Sequence, residues 1–450
     1  MKAVAAEGAA TFKEVNRKWI GRIPESWDAA MIKLVARLES GHTPSRAVAE
    51  YWENCTIPWF SLADVWQLRE AKRKFVHETS ELVSELGVAN SSARVLPAGT
   101  VMLSRTASVG FTGIMGRDMA TTQDFVNWVC GDKVQPAYLW YCLQAMTPEY
   151  DRLRFGSTHQ TIYMPDVAQF KVPLPPPTEQ ERIANFLDEQ TARIDALIAE
   201  KEALLERLSE LRYSLVSWAV AGGLHCKRGT VGTGNPFVPE LPSGWTLGGL
   251  TKYIGPVVDY RGKTPEKVDD GVLLVTARNI RDGELDYGAA AEFVRAEDYE
   301  DIMRRGVPKV GDVLFTMEAP LGQVANVDRE DIALAQRVVK FRGVPGVLNN
   351  YYLKYWLMGD AVQSTLSTLA TGSTAEGIKA SKLGQIPLAL PSPAEQDEIV
   401  KFLDERRSAI NSAAAHVAEH LARLREYRSS LISAVVTGQL DLGAYGEKAA

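Results

Sequence analysis

His416, Glu419 and His420 spell H-x-x-E-H, a spacing that would set two imidazoles on one face of a helix, as in one class of zinc peptidase. The third ligand is missing: apart from Glu426 the next glutamate is Glu447, in the tail, and His420 falls in an apolar seam described below. Asn235-Pro236-Phe237 lacks the second proline of the N-P-P-Y/F turn of amino-methyltransferases and reads as a plain turn. Gly229, Gly232 and Gly234 lack the preceding strand and following helix that a phosphate or nucleoside loop needs. Pro165-Asp166 could open a nuclease motif, but no acidic-x-Lys follows within the next sixty or so residues. There is no G-x-x-x-x-G-K-[ST] and no Ser/His/Asp set, so the residues point to no catalytic site and to no bound metal or cofactor.

What the residues do specify is a pair of long helices. Leu174 to Leu224 and Leu390 to Leu440 each open on a proline-rich hinge (PLPPPTEQ, then ALPSPAEQ), continue for about forty residues without Pro or Gly, and close on VAGGL or VTGQL. They align at a constant offset of 216 residues. In the first, positions 183, 187, 190, 194, 197, 201, 204, 208, 211, 215 and 218 alternate in steps of four and three, which is a coiled-coil seam whose polar members are Gln190 and Lys201. In the second seam the polar members are Arg406 and His420. Thr178 with Glu181, and Ser392 with Glu395, have capping-box spacing. Forty residues at 1.5 Å each make a rod of about 60 Å, and its apolar stripe has to be buried on a second helix.

The chain has 450 residues, too many for one core, with 46% hydrophobic and 24% charged residues and a formal charge of −6. No apolar run approaches a membrane span and no apolar signal core follows the N-terminus, so a cytoplasmic protein is expected. Cys55, Cys130, Cys142 and Cys226 are scattered and read as reduced thiols. Acidic residues outnumber basic ones in both halves, so any DNA affinity must be concentrated in loops or supplied by a partner.

Outside the helices the halves still correspond. IPESW (23–27) answers LPSGW (241–245), SGHTP (40–44) answers RGKTP (261–265), and IPWFSLADV (57–65) answers VLLVTARNI (272–280). LPAGTVMLSRTASVG (96–110) answers VPKVGDVLFTMEAPLG (307–322), Gln123 answers Gln336, and FGSTHQTI (155–162) answers ATGSTAEGI (370–378). Thr100–Ser104 and Asp312–Thr316 read as strands, and helices are expected near 136–146 and 349–359. The expected organisation is an N-terminal segment (1–19), an α+β domain (20–172), a long helix (173–224), a Gly/Pro-rich linker (225–239), a second α+β domain (240–388), a second long helix (389–442) and a tail (443–450).

Two variable α+β domains alternating with matched long helices that open on L-P-x-P-x-E-Q and continue I-x-x-F-L-D resemble the specificity (S) subunit of type I restriction-modification systems. The marks of the resemblance are Pro175, Glu179, Gln180, Ile183, Leu187 and Asp188, with Pro391, Glu395, Gln396, Ile399, Leu403 and Asp404. It implies two tandem target-recognition domains separated by two helices forming an antiparallel coiled coil, each domain reading half of a bipartite double-stranded DNA target. It further implies a host-defence subunit that is non-catalytic alone. Two adenine methyltransferase subunits would dock on the helices, with restriction subunits where present, and S-adenosylmethionine, ATP and Mg would sit on those partners. A coiled-coil scaffold that binds only proteins is the alternative from another class, and a self-sufficient nuclease or methyltransferase is disfavoured by the missing motifs.

Base edges are read by hydrogen-bonding side chains on positioned loops. The candidates in the first half are His42, Thr43, Ser45 and Arg46, then Arg69, Lys72, Arg73 and Lys74, then Ser104, Arg105, Thr106 and Ser108, then Ser157, Thr158, His159 and Gln160. In the second half they are Arg261, Lys263 and Thr264, then Arg278, Asn279 and Arg281, then Thr316, then Ser373, Thr374 and Lys379. Gly-Ser-Thr recurs at 156–158 and 372–374, which suits loop shape or a phosphate contact better than base reading.

Overall fold

The computed structural model describes residues 11–71, 73–154, 160–225, 227–260, 265–371 and 376–443. They form two compact units: residues 1–201 with 419–450, and residues 202–418. The long helices, Pro177–Val220 and Pro393–Val436, are 44 residues each, or about 66 Å. Each unit takes half of each helix, so neither domain core closes on its own segment alone.

In the first unit a five-stranded sheet runs in the order Ala36–Ser40, Phe125–Cys130, Val101–Ser104, Thr112–Met115, Phe75–Val76. Beside it Ile57–Phe60 pairs in parallel with Ala120–Thr121. In the second unit the order Val258–Asp259, Val338–Phe341, Val313–Thr316, Val324–Asn326 repeats the central pairings, and Val272–Val275 pairs in parallel with Ile332–Leu334. Both central strands, VMLS and VLFT, are buried along their whole length, as expected of strands covered on both faces. The helices Pro136–Ala145 and Asn350–Met358 cover one face.

The first core is completed by Ile183, Leu187 and Ile194 from one long helix and Leu431, Ile432, Val435 and Val436 from the other. The second uses Val216, Ala219 and Val220 with Ile399 and Leu403. Within each unit the pairing is antiparallel. Asp195 accepts from Arg428 Nε at 2.8 Å, while the Tyr138 hydroxyl donates to the carbonyls of Pro173 and Val436. In the second unit Arg212 meets Asn411 and Trp218 faces Phe402.

The expected seam is corrected by burial. Leu197, Leu204, Leu211 and Trp218 are 37–49% exposed, and Arg406 and His420 also face out, whereas Arg407 and Leu421 are buried. Each helix half packs on its own domain as well as on its partner. The buried stripe therefore follows the 3.6-residue period of a straight helix, from which a strict heptad drifts by about 20° per repeat.

Three further expectations change. Thr178 lies inside its helix, which starts at Pro177 with Glu179 and Gln180 donating to the carbonyl of Pro176, so the first capping box does not form. The second does: Ser392 and Glu395 exchange hydrogen bonds. The linker is a β-hairpin, Thr230–Asn235 with Val238–Pro242, and Asn235 Oδ1 accepts from the amides of Phe237 and Val238 at its tip. Its counterpart is the hairpin Phe12–Glu14 with Arg22–Pro24, which falls partly in the expected N-terminal segment. Each repeat thus opens on a hairpin seated against a helix end: a Cβ at Gly438 would meet Pro24, and one at Gly222 would meet Pro242. Both glycines have positive φ, the left-handed end of a helix.

Candidate nucleic-acid interface

In the first unit the candidate loops converge on the turn Thr121–Asp124, between a strand of the small sheet and one of the large sheet. Gly41 lies so close to the backbone of Thr121 and Thr122 that a Cβ there would collide, and His42 N donates to the Thr121 carbonyl at 3.0 Å. Thr43 Oγ1 then reaches Gln123 Oε1 at 2.6 Å. From the other side Arg105 N donates to the Asp124 carbonyl, Ala107 N to that of Gln160, and Ile162 N to that of Arg105. Three loops distant in sequence are held on one hub by their main chains, which leaves side chains at the surface to vary.

The second unit repeats two of the three loop contacts, the counterpart of the loop at 41–43 lying outside the described residues. Met317 N donates to the Arg337 carbonyl, Ile378 N to that of Met317, and Glu318 bridges Gly377. Ala107 and Ala319, matched in sequence, both have positive φ, as do Gly110 and Gly322. Beside this hub lies a cleft of about 410 Å³ lined by Lys267, Thr276, Arg278, Glu292, Gln336 and Arg337 among others. Glu292 pairs with Lys267 at 2.7 Å and with Arg278.

The remaining candidates divide by burial. Ser45, Arg69, Arg281 and Lys379 are exposed, and Thr106 and Ser108 lie on the hub loop. Arg46 stacks on Trp52 at 3.8 Å and pairs with Glu81; Arg73 reaches over Trp66 and donates to Gln67. Four candidates leave the interface. Ser104 and Thr316 are fully buried and close matched turns, accepting from Phe111 N and Gln323 N. Asn279 is fully buried, with its amide donating to the carbonyls of Asp286 and Ala290 and its oxygen accepting from Thr276. Lys74 is held by Asp188 at 2.7 Å under Trp140 and Tyr141. Lys72, Ser157, Thr158, His159, Arg261, Lys263, Thr264, Ser373 and Thr374 lie outside the described residues. Sequence reasoning aligned Gln123 with Gln336 but did not select them; the signal was a glutamine repeated between two apolar strands.

The repeated marks have physical roles. Gln180 is fully buried, with Oε1 accepting from Gln135 N and Nε2 donating to the carbonyls of Lys133 and Pro175. Gln396 does the same with Asn349 N and the carbonyls of Val347 and Pro391. Each ties the hinge to the covering helix of its domain. Asp188 and Asp404 accept from Tyr141 and Tyr355, and Ile183, Leu187, Ile399 and Leu403 are buried. Burial opposes ionisation of Glu395, but hydrogen bonds from Ser392 and Trp245 and the charge of Arg228 outweigh it and hold the carboxyl at about 2. Glu419 of the H-x-x-E-H stretch pairs with Arg423, and Cys55, Cys130 and Cys142 are free thiols. Burial pushes Cys130 and Cys142 up to about 12, so neither supplies a thiolate near neutral pH.

The model of the type I restriction modification DNA specificity domain matches residues 24–207 and 296–415, more than half of the chain. The chain belongs to this family. The MjaIX specificity subunit of Methanocaldococcus jannaschii is 29% identical over 238 residues, a stretch covering 52% of each chain. The chain thus spans about half the length of that relative, and 58% of the EcoBI specificity subunit of Escherichia coli at 25% identity over 60% of this chain. The MjaVIII specificity subunit of M. jannaschii is 23% identical over 95% of this chain and 97% of its own length. A chain from a structural study of type I R-M complex assembly and conformational transition shares the fold with a TM-score of 0.68 at 16% identity, covering 93% of this chain and 99% of its own. The HsdS subunit of Thermoanaerobacter tengcongensis aligns with a TM-score of 0.50 at 16% identity, over 95% of this chain and all of its own. The matched model is that of a DNA specificity domain, present twice along the chain. Among the described residues no helix is long and apolar enough to cross a membrane.

Proposed function

We propose that the chain is the cytoplasmic, non-catalytic DNA-reading subunit of a type I restriction-modification complex, and that each unit reads one half of a bipartite double-stranded target. The observation that carries this reading is the repeated hub. Two main-chain bonds recur, Arg105 N to Asp124 with Met317 N to Arg337 and Ile162 N to Arg105 with Ile378 N to Met317, and fix matched loops in both units, while the side chains those loops present differ, RTAS at 105–108 against MEAP at 317–320. A frame that repeats and a surface that varies is what independent reading of two half-sites requires.

Docking of two adenine methyltransferase subunits, with restriction subunits where present, completes the proposal; S-adenosylmethionine, ATP and Mg belong to those partners. Apolar side chains left outside the buried stripe support it. In the second unit Leu211 and Trp218 are exposed and line an open groove of about 790 Å³ with Leu208, Leu215, Phe402 and Ile410. A contiguous exposed apolar surface of this kind suits a partner helix. The test is methyl transfer to DNA by the purified chain with and without its methyltransferase. Activity is expected only in the mixture, and robust transfer by the chain alone would overturn the assignment.

A further inference from the structure

Tyr141 and Tyr355 occupy matched positions and bond matched aspartates, but the residues before them are Trp140 and Lys354. Trp140 fills its place with an indole that donates to the Thr112 carbonyl at 3.0 Å, and the nearby Lys74 is ion-paired with Asp188 at 2.7 Å. At the second site Arg407 stands where the first has Thr191. A polar cavity of about 230 Å³ opens there, lined by Glu284, Lys354, Asp404, Arg407, Ser408 and Asn411 among others. Lys354 and Arg407 are buried at its floor, whereas Glu284, Asp404 and Ser408 are exposed at its mouth.

The Lys354 ammonium lies 4.3 Å from the centre of the Tyr355 ring, and the Arg407 guanidinium lies 5.6 Å from the same centre. Among the described residues no acceptor is within hydrogen-bond reach of Lys354 Nζ and no carboxylate is within ion-pair distance; the contacts it makes are to the rings of Tyr351 and Tyr355. An ammonium out of water, with no anion touching it and a second cation beside it, is driven toward the free amine. Asp404 and Glu284 oppose this from the mouth and Arg407 adds to it, and burial prevails, taking the group down to about 8. A desolvated lysine next to another cation is a nucleophile.

We propose that Lys354 is a covalent modification site, acylated by small acyl phosphates that enter this cavity. The Nζ lone pair forms the bond to the acyl carbon, the bond from that carbon to the phosphate oxygen breaks, phosphate leaves with the electron pair, and the amine proton is lost to solvent at the mouth. Arg407 attracts the phosphate, and Ser408 and Asn411 offer it an O–H and an N–H. The cavity is smaller than those that enclose drug-sized ligands, which selects a small electrophile. The amide formed carries no charge, so the modification removes one of two buried cations from the contact between domain and helix in the second unit.

The test treats the full chain near neutral pH with acetyl phosphate and, in parallel, with the uncharged N-hydroxysuccinimide ester of acetate, and follows individual lysines by peptide mass spectrometry. With both reagents Lys354 should be acetylated about tenfold faster than the exposed Lys33 and Lys379. Its rate should level off above about pH 8, while theirs continues to rise about tenfold per pH unit. Arg407→Thr, which installs the residue of the matched position, should slow Lys354 severalfold more with acetyl phosphate than with the ester. Should that variant fail to fold, Asn411→Asp, which sets a carboxylate against the phosphate, should show the same bias. Lys354 reacting no faster than Lys33 and Lys379, or with a rate that climbs with pH as theirs does, would overturn the proposal. Rapid reaction with the ester alone, or a variant that slows both reagents equally, would overturn the assignment to acyl phosphates.

Discussion

The contact between each domain and its long helix is built twice with different cations. In the first unit Tyr141 and Lys74 both donate to Asp188, and the lysine arrives from a loop of the domain, far from the helix in sequence. In the second unit Tyr355 donates to Asp404, and the charges are Lys354, the neighbour of the tyrosine, and Arg407, one turn along the helix and bonded to the Asp282 carbonyl. Lys354 and Arg407 are 8% and 5% exposed. The tyrosine–aspartate bond recurs across 47 residues in one unit and 49 in the other, and ties each domain to its helix. The cation needs only to be positive and near, so evolution can draw it from any element that passes.

The sharpest way to break this comparison is at the part that is identical. Gln180→Ala and Gln396→Ala each leave a buried carbonyl, of Pro175 or Pro391, and a part-buried amide and carbonyl without their partner, and each should cost its own unit about 3 kcal/mol. Hydrogen exchange read separately on peptides of the two units checks this, and losses differing by more than a factor of two would show that the hinges are not equivalent. A smaller and unequal effect is expected at the cation cluster. Asp404→Asn strips the counter-charge from a buried lysine and should cost about 2 kcal/mol, whereas Asp188→Asn, beside a more exposed ion pair, should cost about 1 kcal/mol.

The same cluster predicts a pH dependence found in one unit. Burial lowers the Lys354 ammonium from 10.5 to about 8, with Asp404 opposing and Arg407 adding to the shift. Between these values the unfolded chain binds the proton that the folded chain has released, so stability of the second unit should rise as pH increases from about 8 to 10.5. Lys354→Met should flatten that rise, as read by urea unfolding followed through exchange in the second unit. Glu395 works at the other end: held at about 2 against an ordinary 4.5, it contributes stability that is lost as pH falls through that interval. The smallest effect is at the cap. Ser392→Ala should cost about 1 kcal/mol by removing the box with Glu395, while the matching position, Pro176, has no hydroxyl to lose.

Much of the frame was legible in the sequence because it rests on local chemistry and spacing. The two long helices keep the 216-residue offset and lie four to six residues inside the expected bounds at each end, and the strands at 101–104 and 313–316 and the helices beside them fall where alternation and proline signals put them. The seam was not legible, since a four-three pattern reports which residues are apolar and not which surfaces compete for them; Leu211 and Trp218 lose that competition to Val216 and Ala219. The hairpin at 230–242 was hidden by glycines that look like linker. Among the site residues, polarity alone could not separate Arg278, at the mouth of a cleft, from Asn279, its neighbour, whose amide is spent on carbonyls inside the domain.

Replacing residues 20–170 with the matching domain of another family member, and sequencing the methylated motif made by the reconstituted complex, tests the central claim most directly. Two units with one frame and independent surfaces predict that one half of the motif changes and the other half is retained base for base. A motif altered in both halves would contradict independent reading by the two units.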